Sequence, residues 1–177
     1  MKKTFLLILI NLFVALNLIA QNKDLKTFTT KSYSVQYPKN WEFSSDKINK
    51  NFSTFMIKSP LENTLDTFQE NINLAFEDLS KYNTKIDLDI YIVSAKANIL
   101  KMLPDIKILT ENKGILSKYD SYNIEYTGTY ESYKLKWRQV IILKNKKVYI
   151  LSYTANEDNF NDFYNITDDI IKSFVLK

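Results

Sequence analysis

Residues 120–154 read DSYNIEYTGTYESYKLKWRQVIILKNKKVYILSYT, and their periodicity decides the fold. In the first third, Tyr122, Ile124, Tyr126 and Tyr130 lie on one side of an extended chain while Asn123, Glu125, Thr127 and Thr129 lie on the other. A strict period of two is the mark of a half-buried strand, and the short polar breaks predict antiparallel hairpins. Further on the pattern doubles. Leu135, Trp137, Ile141 and Leu143 share one face with Val140 and Ile142 on the other, and Val148 and Ile150 oppose Tyr149 and Leu151. Strands apolar on both faces must be covered on both faces. The strands are expected at 120–131, 133–144 and 147–154, with one more before them at 106–117.

The covers stand on either side of this block. Upstream, Leu88, Ile92, Ala95, Ile99 and Leu103 recur at helical spacing between an N-capping Asp87 and Pro104, which predicts a one-sided amphipathic helix of about four turns. Downstream, Phe160, Phe163, Ile170, Ile171 and Phe174 form one stripe of a terminal helix expected to start at Asn156. Three earlier strands complete the sheet. Tyr33, Val35 and Tyr37 alternate up to the turn Pro38-Lys39-Asn40; Phe55 and Ile57 mark a second near 52–58; Ile72, Leu74 and Phe76 mark a third. The expectation is an α+β fold: an antiparallel sheet of about seven strands with helices on both faces, an α/β/α sandwich.

In the 177-residue chain, residues 1–20 stand apart from the rest. Lys2 and Lys3 precede a run from Phe5 to Ile19 broken only by Asn11 and Asn17, the n-region and h-region of a secretory signal peptide. The run is short for a spanning helix, which needs about 20 apolar residues. Cleavage is expected after Ala20, within a few residues, with an uncleaved anchor as the alternative. The organisation read from the sequence is therefore a signal peptide at 1–20, a short flexible, polar leader at 21–31 and a single domain at 32–177. The expected location is outside the cytoplasm, periplasmic or extracellular. There is no Cys anywhere, so neither a lipidated N-terminal Cys nor a disulfide is expected.

Composition removes most catalytic chemistry. With 45% hydrophobic residues the chain has a core to bury, but His and Cys are both absent. That excludes a Ser-His triad, a Cys nucleophile, an imidazole or thiolate zinc site and a redox dithiol. The two glycines, Gly114 and Gly128, cannot write a phosphate loop or a dinucleotide turn. Without Lys2 and Lys3 the net charge of +4 falls to +2, and the densest later cluster, Lys144, Lys146 and Lys147, sits in an expected hairpin turn. No nucleic-acid partner is expected.

Four short motifs resemble a known family. Tyr33-Ser-Val-Gln-Tyr-Pro-Lys-Asn-Trp41 is similar to the opening signature of PsbP-like domains, an extended strand, Tyr-Pro, two residues and Trp. Glu70-Asn-Ile-Asn-Leu74 resembles their third strand, Tyr122-Asn-Ile-Glu-Tyr126 their central hairpin and Ile170-Ile-Lys-Ser-Phe174 their closing helix. The order holds across about residues 33–174. The resemblance implies an α/β/α sandwich and non-enzymatic roles built on docking to another protein. The family's His residues at metal and photosystem contacts have no counterpart in this chain, so no metal ligand or cofactor is carried over.

Candidate site residues follow from these readings. Tyr37, Pro38, Trp41, Ser173 and Phe174 carry the family signature and are expected to be structural, Trp41 as a core plug. Tyr122, Tyr126, Tyr130 and Trp137 either line a groove for a ligand or partner or pack under a helix. The acids Glu157, Asp158, Asp162, Asp168 and Asp169 are the densest carboxylates; the first two suit a helix start. No catalytic residue, metal site or cofactor is assigned. The leading expectation is a non-catalytic exported domain that binds a protein partner or stabilises an envelope assembly. The alternatives are a binder of a small apolar ligand or lipid and, behind it, a carboxylate-based hydrolase.

Overall fold

The computed structural model describes residues 24–49, 52–63 and 66–177. The signal peptide expected at 1–20 and the first residues of the leader lie outside the described residues. Among the described residues, ten strands and two helices form an α+β structure with two antiparallel sheets. The larger has seven strands: β3 (Glu42–Asn49), β4 (Phe52–Lys58), β5 (Asn71–Asp78), β9 (Lys147–Asn156), β8 (Tyr133–Lys144), β7 (Tyr119–Tyr130) and β6 (Lys107–Leu116), in that spatial order. The smaller runs β1 (Leu25–Thr29), β2 (Tyr33–Pro38) and β10 (Val175–Leu176). Helix α1 spans Leu88–Met102 and α2 spans Phe160–Lys172.

The doubly apolar strands sit in the middle of the large sheet, as their composition requires. Val140 and Ile142 of β8 and Tyr149, Leu151 and Tyr153 of β9 join a cluster with Phe160, Ile170 and Ile171 of α2 and with Tyr33 and Val35 of β2. The alternate residues Ile141 and Val148 pack with Ile92 of α1, and Ile124 and Tyr126 of β7 pack with Ile99. Each buried Leu, Ile or Phe contributes roughly 1.5–3 kcal/mol of transfer free energy, so both faces of β8 and β9 hold the fold together.

Four expectations are corrected. Tyr33–Pro38 is a strand but not a member of the large sheet; the seventh place belongs to β3, whose run Glu-Phe-Ser-Ser-Asp-Lys-Ile-Asn is largely polar because it is an edge strand with one partner. Residues 25–29, read as leader, form β1 in register with β2 from Leu25↔Pro38 to Thr29↔Ser34. The terminal helix begins at Phe160 and not near Asn156, because β9 stays paired as far as Asn156, opposite Leu135. Helix α1 turns the expected stripe of Leu88, Ile92, Ala95 and Ile99 to the core, but its apolar residues are not confined to that side: Ile90, Val93 and Leu100 remain exposed. Its expected cap is present, with the Asp87 carboxylate accepting from the Ile90 N–H at 2.9 Å.

The hairpins turn without glycine. Ser117 and Lys118 between β6 and β7 have φ of 52° and 69°, and Asn145 and Lys146 between β8 and β9 have 53° and 60°. Two successive left-handed residues make the turn whose twist matches paired strands. Gly128 serves another purpose. A Cβ there would stand 3.1 Å from Ile106 Cδ1 and 3.4 Å from Leu103 Cδ1, so its bare backbone admits the chain leaving α1 over β7.

Candidate functional site

The signature motif is a corner that joins the two sheets. Pro38 ends β2, its carbonyl accepts from the Trp41 N–H at 3.0 Å, and the tight turn throws Trp41 inward. Trp41 is 5% exposed and meets Phe163 of α2 edge-on at 6.1 Å between ring centroids. Tyr37 stacks on Phe43 at 4.9 Å. From the other end of the chain, Ser173 Oγ accepts from the Gln36 N–H at 2.8 Å and donates to the Ile170 carbonyl at 2.7 Å. Phe174 is fully buried against Tyr33 at 5.3 Å. All five signature residues thus bind β2 and the end of α2 to one core. A shallow hollow of about 360 Å³ lies beside the corner, lined by Asp24, Pro38, Lys39, Asn40 and Ile166.

The aromatic row lies on the opposite side of the large sheet. Tyr126 is 1% exposed and stacks on Trp137 at 5.1 Å, directly across the β7–β8 ladder. Both, with Tyr122, pack around Ile99 and Ile124 beneath α1. The Tyr122 hydroxyl donates to Glu111 Oε2 at 2.8 Å; burial and that carboxylate push its pKa up to about 12. Tyr130 stands apart, exposed at the far end of β7. Three of the four aromatics therefore meet in one cluster and the fourth does not.

A cleft of about 300 Å³ opens at the other flank of α1, between that helix and the end of β5. Leu79, Tyr82, Ile86 and Ile90 give it apolar walls, and Tyr91 donates its hydroxyl proton to Glu77 Oε2 at 2.9 Å on its floor. Its size is at the lower end of small-molecule sites. The sequence signals it only weakly, because Tyr82 and Ile86 lie in an irregular stretch with no period.

The acids do not converge. Among the described residues no three His, Cys, Asp or Glu side chains gather as a metal site. Asp168 is engaged by Arg138 at 2.8 Å and by Lys172 at 2.6 Å. Burial works to raise the Asp168 carboxyl, and these two cations outweigh it and hold it below the usual carboxylate range. Glu157 and Asp158 occupy the turn before α2, and Asp162 lies in its first helical turn.

One polar group was not singled out by sequence reasoning. Glu70, part of the signature's third-strand motif, is fully buried; Ser59 Oγ donates to its Oε2 at 3.3 Å, and its Oε1 has no hydrogen-bond partner. Burial pushes its carboxyl upward, its own backbone N–H and the Ser59 bond oppose the shift, and Asp66 and Glu62 add to it. The only signal in the sequence is an acid next to an otherwise apolar alternation.

A sheet of seven antiparallel strands, helices packed on it and a Tyr-Pro-x-x-Trp corner locked to a C-terminal Ser-Phe define a small α+β domain of the PsbP type. The chain belongs to the PsbP-like protein family, whose pattern it matches over residues 19–176. Its fold is similar to that of cyanobacterial PsbP (CyanoP) from Synechocystis, with a TM-score of 0.63 and 12% identity over 90% of this chain and 96% of that one. LpqN of Mycobacterium tuberculosis, described as involved in cell envelope biogenesis, aligns with a TM-score of 0.59 and 11% identity over 86% and 90% of the two chains. PA94 of Pseudomonas aeruginosa, a protein of unknown function, aligns at 0.60 and 15% identity over 84% and 94%. At such identities these likenesses speak for the fold alone. No curated protein matches the sequence.

Proposed function

We propose that this chain is an exported, non-catalytic PsbP-like module of the cell envelope that works by docking onto a protein partner or by stabilising an assembly there. The observation that carries this reading is family membership over residues 19–176 in a chain without His or Cys. Its layers read as an α/β/α sandwich: α2 and the small sheet on one face of the large sheet and α1 on the other, following the division of β8 and β9 between their clusters. Export rests on the basic and apolar run at residues 2–19, and among the described residues no helix is long and apolar enough to cross a membrane. The likeness to LpqN, described as involved in cell envelope biogenesis, agrees with an envelope setting.

The experiment is chemical cross-linking in intact cells, followed by capture of the tagged chain from envelope extract and peptide mass spectrometry. A reproducible cross-linked protein supports docking; its absence across replicate preparations speaks against it. Intact mass of the captured chain reads export, the expected mass beginning near Gln21.

A second reading, a binder of a small apolar ligand, draws on the cleft between α1 and β5, where Leu79, Tyr82, Ile86 and Ile90 surround the Tyr91–Glu77 pair. Native mass spectrometry separates the two. A co-purifying lipid-sized adduct lost in Ile86→Glu favours the ligand, and a clean apo mass favours the docking module.

A further inference from the structure

The large sheet ends on β6, which among the described residues has a strand neighbour on one side only. Its ten residues, Lys107–Leu116, are mostly exposed, including Leu109 at 48% and Ile115 at 77%. A long open edge carrying exposed apolar side chains is a template for another strand. Two features blunt it little. A bulge between Ile108 and Thr110 disturbs only one end, and Glu111 and Lys113 bring charges of both signs, not one.

Those charges are arranged for a particular occupant. Glu111 pairs with Ile124 and Lys113 with Tyr122 across the β6–β7 ladder, so both lie on the face that α1 covers. There Lys96 of α1 meets Glu111 at 2.6 Å and Asp89 of α1 meets Lys113 at 2.7 Å. Asp89, Val93, Lys96 and Leu100 follow one another at spacings of four, three and four, so they share one side of α1. That side overlooks β6. Val93 and Leu100, 72% and 52% exposed, consequently stand beside the open edge and away from the core stripe of Ile92 and Ile99.

We propose that this edge joins a second copy of the chain, β6 pairing antiparallel with its symmetry mate about a two-fold axis through Asn112. Residues opposite one another in an antiparallel ladder share a face, so a two-fold that keeps both helices on one side pairs odd positions with odd. The axis then passes through a residue. Centring on Asn112 sets Glu111 opposite the partner's Lys113 and Lys113 opposite the partner's Glu111. Centring on Thr110 or on Gly114 aligns neither pair. At Asn112 the charges run in alternation across the seam: Asp89, Lys113, the partner's Glu111, the partner's Lys96, and the same again by symmetry. Ile115, the most exposed apolar side chain of the edge, comes at each end of the joint against the partner's bulged segment at 108–110, which covers it. Val93 and Leu100 of each copy then flank the seam from above. The product is one continuous sheet of fourteen strands, twice the seven of one copy, with no open β6 edge.

The test is sedimentation equilibrium of the purified protein, wild type against Glu111→Lys, Lys113→Glu and Ile115→Asp. Wild type is expected to be dimeric at about 100 μM, a concentration that nearly saturates a dimer with Kd near 1 μM. Each variant is expected to raise Kd about tenfold or more, because like charges or a carboxylate then meet twice across the seam. Far-UV circular dichroism establishes that each variant is folded. The decisive arm mixes Glu111→Lys with Lys113→Glu. Each alone repels itself, and the mixture restores opposite charges at both contacts, so a heterodimer is expected. A monomeric wild type, a dimer indifferent to all three substitutions, or folded variants that fail to pair when mixed would each overturn the proposal.

Discussion

Glu70 is a carboxyl with one weak donor and one orphaned oxygen inside the core that joins β4 to β5. Because its folded-state pKa is raised, mainly by burial, the native state prefers it protonated. The unfolded chain releases the proton near pH 4.3, so the fold loses stability as pH rises from there through the folded value. Glu70→Gln keeps the shape and the acceptor for Ser59 without the charge. It is expected to stabilise the protein at pH 7 by about 1 kcal/mol or more, with the gain vanishing below about pH 4; urea melts at both pH values measure this, and an equal effect at both would contradict the assignment. Asp168 has the opposite sign. Its folded pKa is lowered, so its contribution is present above the unfolded value of about 3.9 and is lost as pH falls through the folded value. Asp168→Ala leaves Arg138, whose side chain is 13% exposed, without its carboxylate. The expected cost is about 1–3 kcal/mol at pH 7, shrinking in acid, read by the same melts.

At the scale of elements, the turns show what the composition concealed. A chain with two glycines must place other residues in left-handed backbone, and Lys118 at φ 69° and Lys146 at φ 60° carry side chains where glycine carries none. An L side chain there costs about 1 kcal/mol or more relative to glycine. Lys118→Gly is therefore expected to raise stability by roughly 0.5–1 kcal/mol, after allowing for the greater freedom of glycine in the unfolded chain. A thermal melt that shows no gain or a loss would mean that Lys118 holds the β6–β7 hairpin through its side chain. The same scale shows which elements the sequence reveals. Strands β4, β5 and β7 to β9 and helix α1 declare themselves because burial on a fixed face imposes a period on Phe55 and Ile57, Tyr122 to Tyr126, and Ile92 to Ile99. Strands β1 and β3 are edges and need only half their hydrogen bonds and little burial, so Lys26, Thr27, Ser44 and Ser45 carry no alternation. The start of α2 was misplaced because Asn156-Glu-Asp is as good a helix opening as Asn159, and only the pairing of β9 decides between them. The signature corner was legible as a motif, but Ser173 gains its meaning only when Gln36, 137 residues away, meets its hydroxyl.

Across the whole molecule, two sheets and two helices share their interior unequally. The larger cluster draws Tyr33 and Val35 from the small sheet, Phe52 to Leu74 and Tyr149 to Ala155 from the large one, and Phe160 to Phe174 from the C-terminal segment. The clusters beneath α1 meet it across strands that feed both sides, β8 and β9 at the centre, whose side chains alternate between the two faces. Two arrangements of stability are compatible with layers joined in this way. Either the central strands couple both sides into one transition, or α1 and its aromatic bed melt separately. The structure favours coupling: Ile141 and Ile142, neighbours in sequence and 1% and 0% exposed, anchor opposite clusters, so neither layer can loosen without exposing the strand the other needs. The chain supplies its own reporters, since it has two tryptophans, Trp41 in the corner against α2 and Trp137 in the bed beneath α1. Single-tryptophan variants, Trp41→Phe and Trp137→Phe, each report one side by fluorescence. In urea, each variant's fluorescence midpoint is expected to coincide with its own far-UV circular dichroism midpoint, the signature of a two-state domain of this size. A Trp137 signal that moves at lower urea than the dichroism of the same variant would show the α1 layer to be an independent unit, and would refute the coupling through β8 and β9.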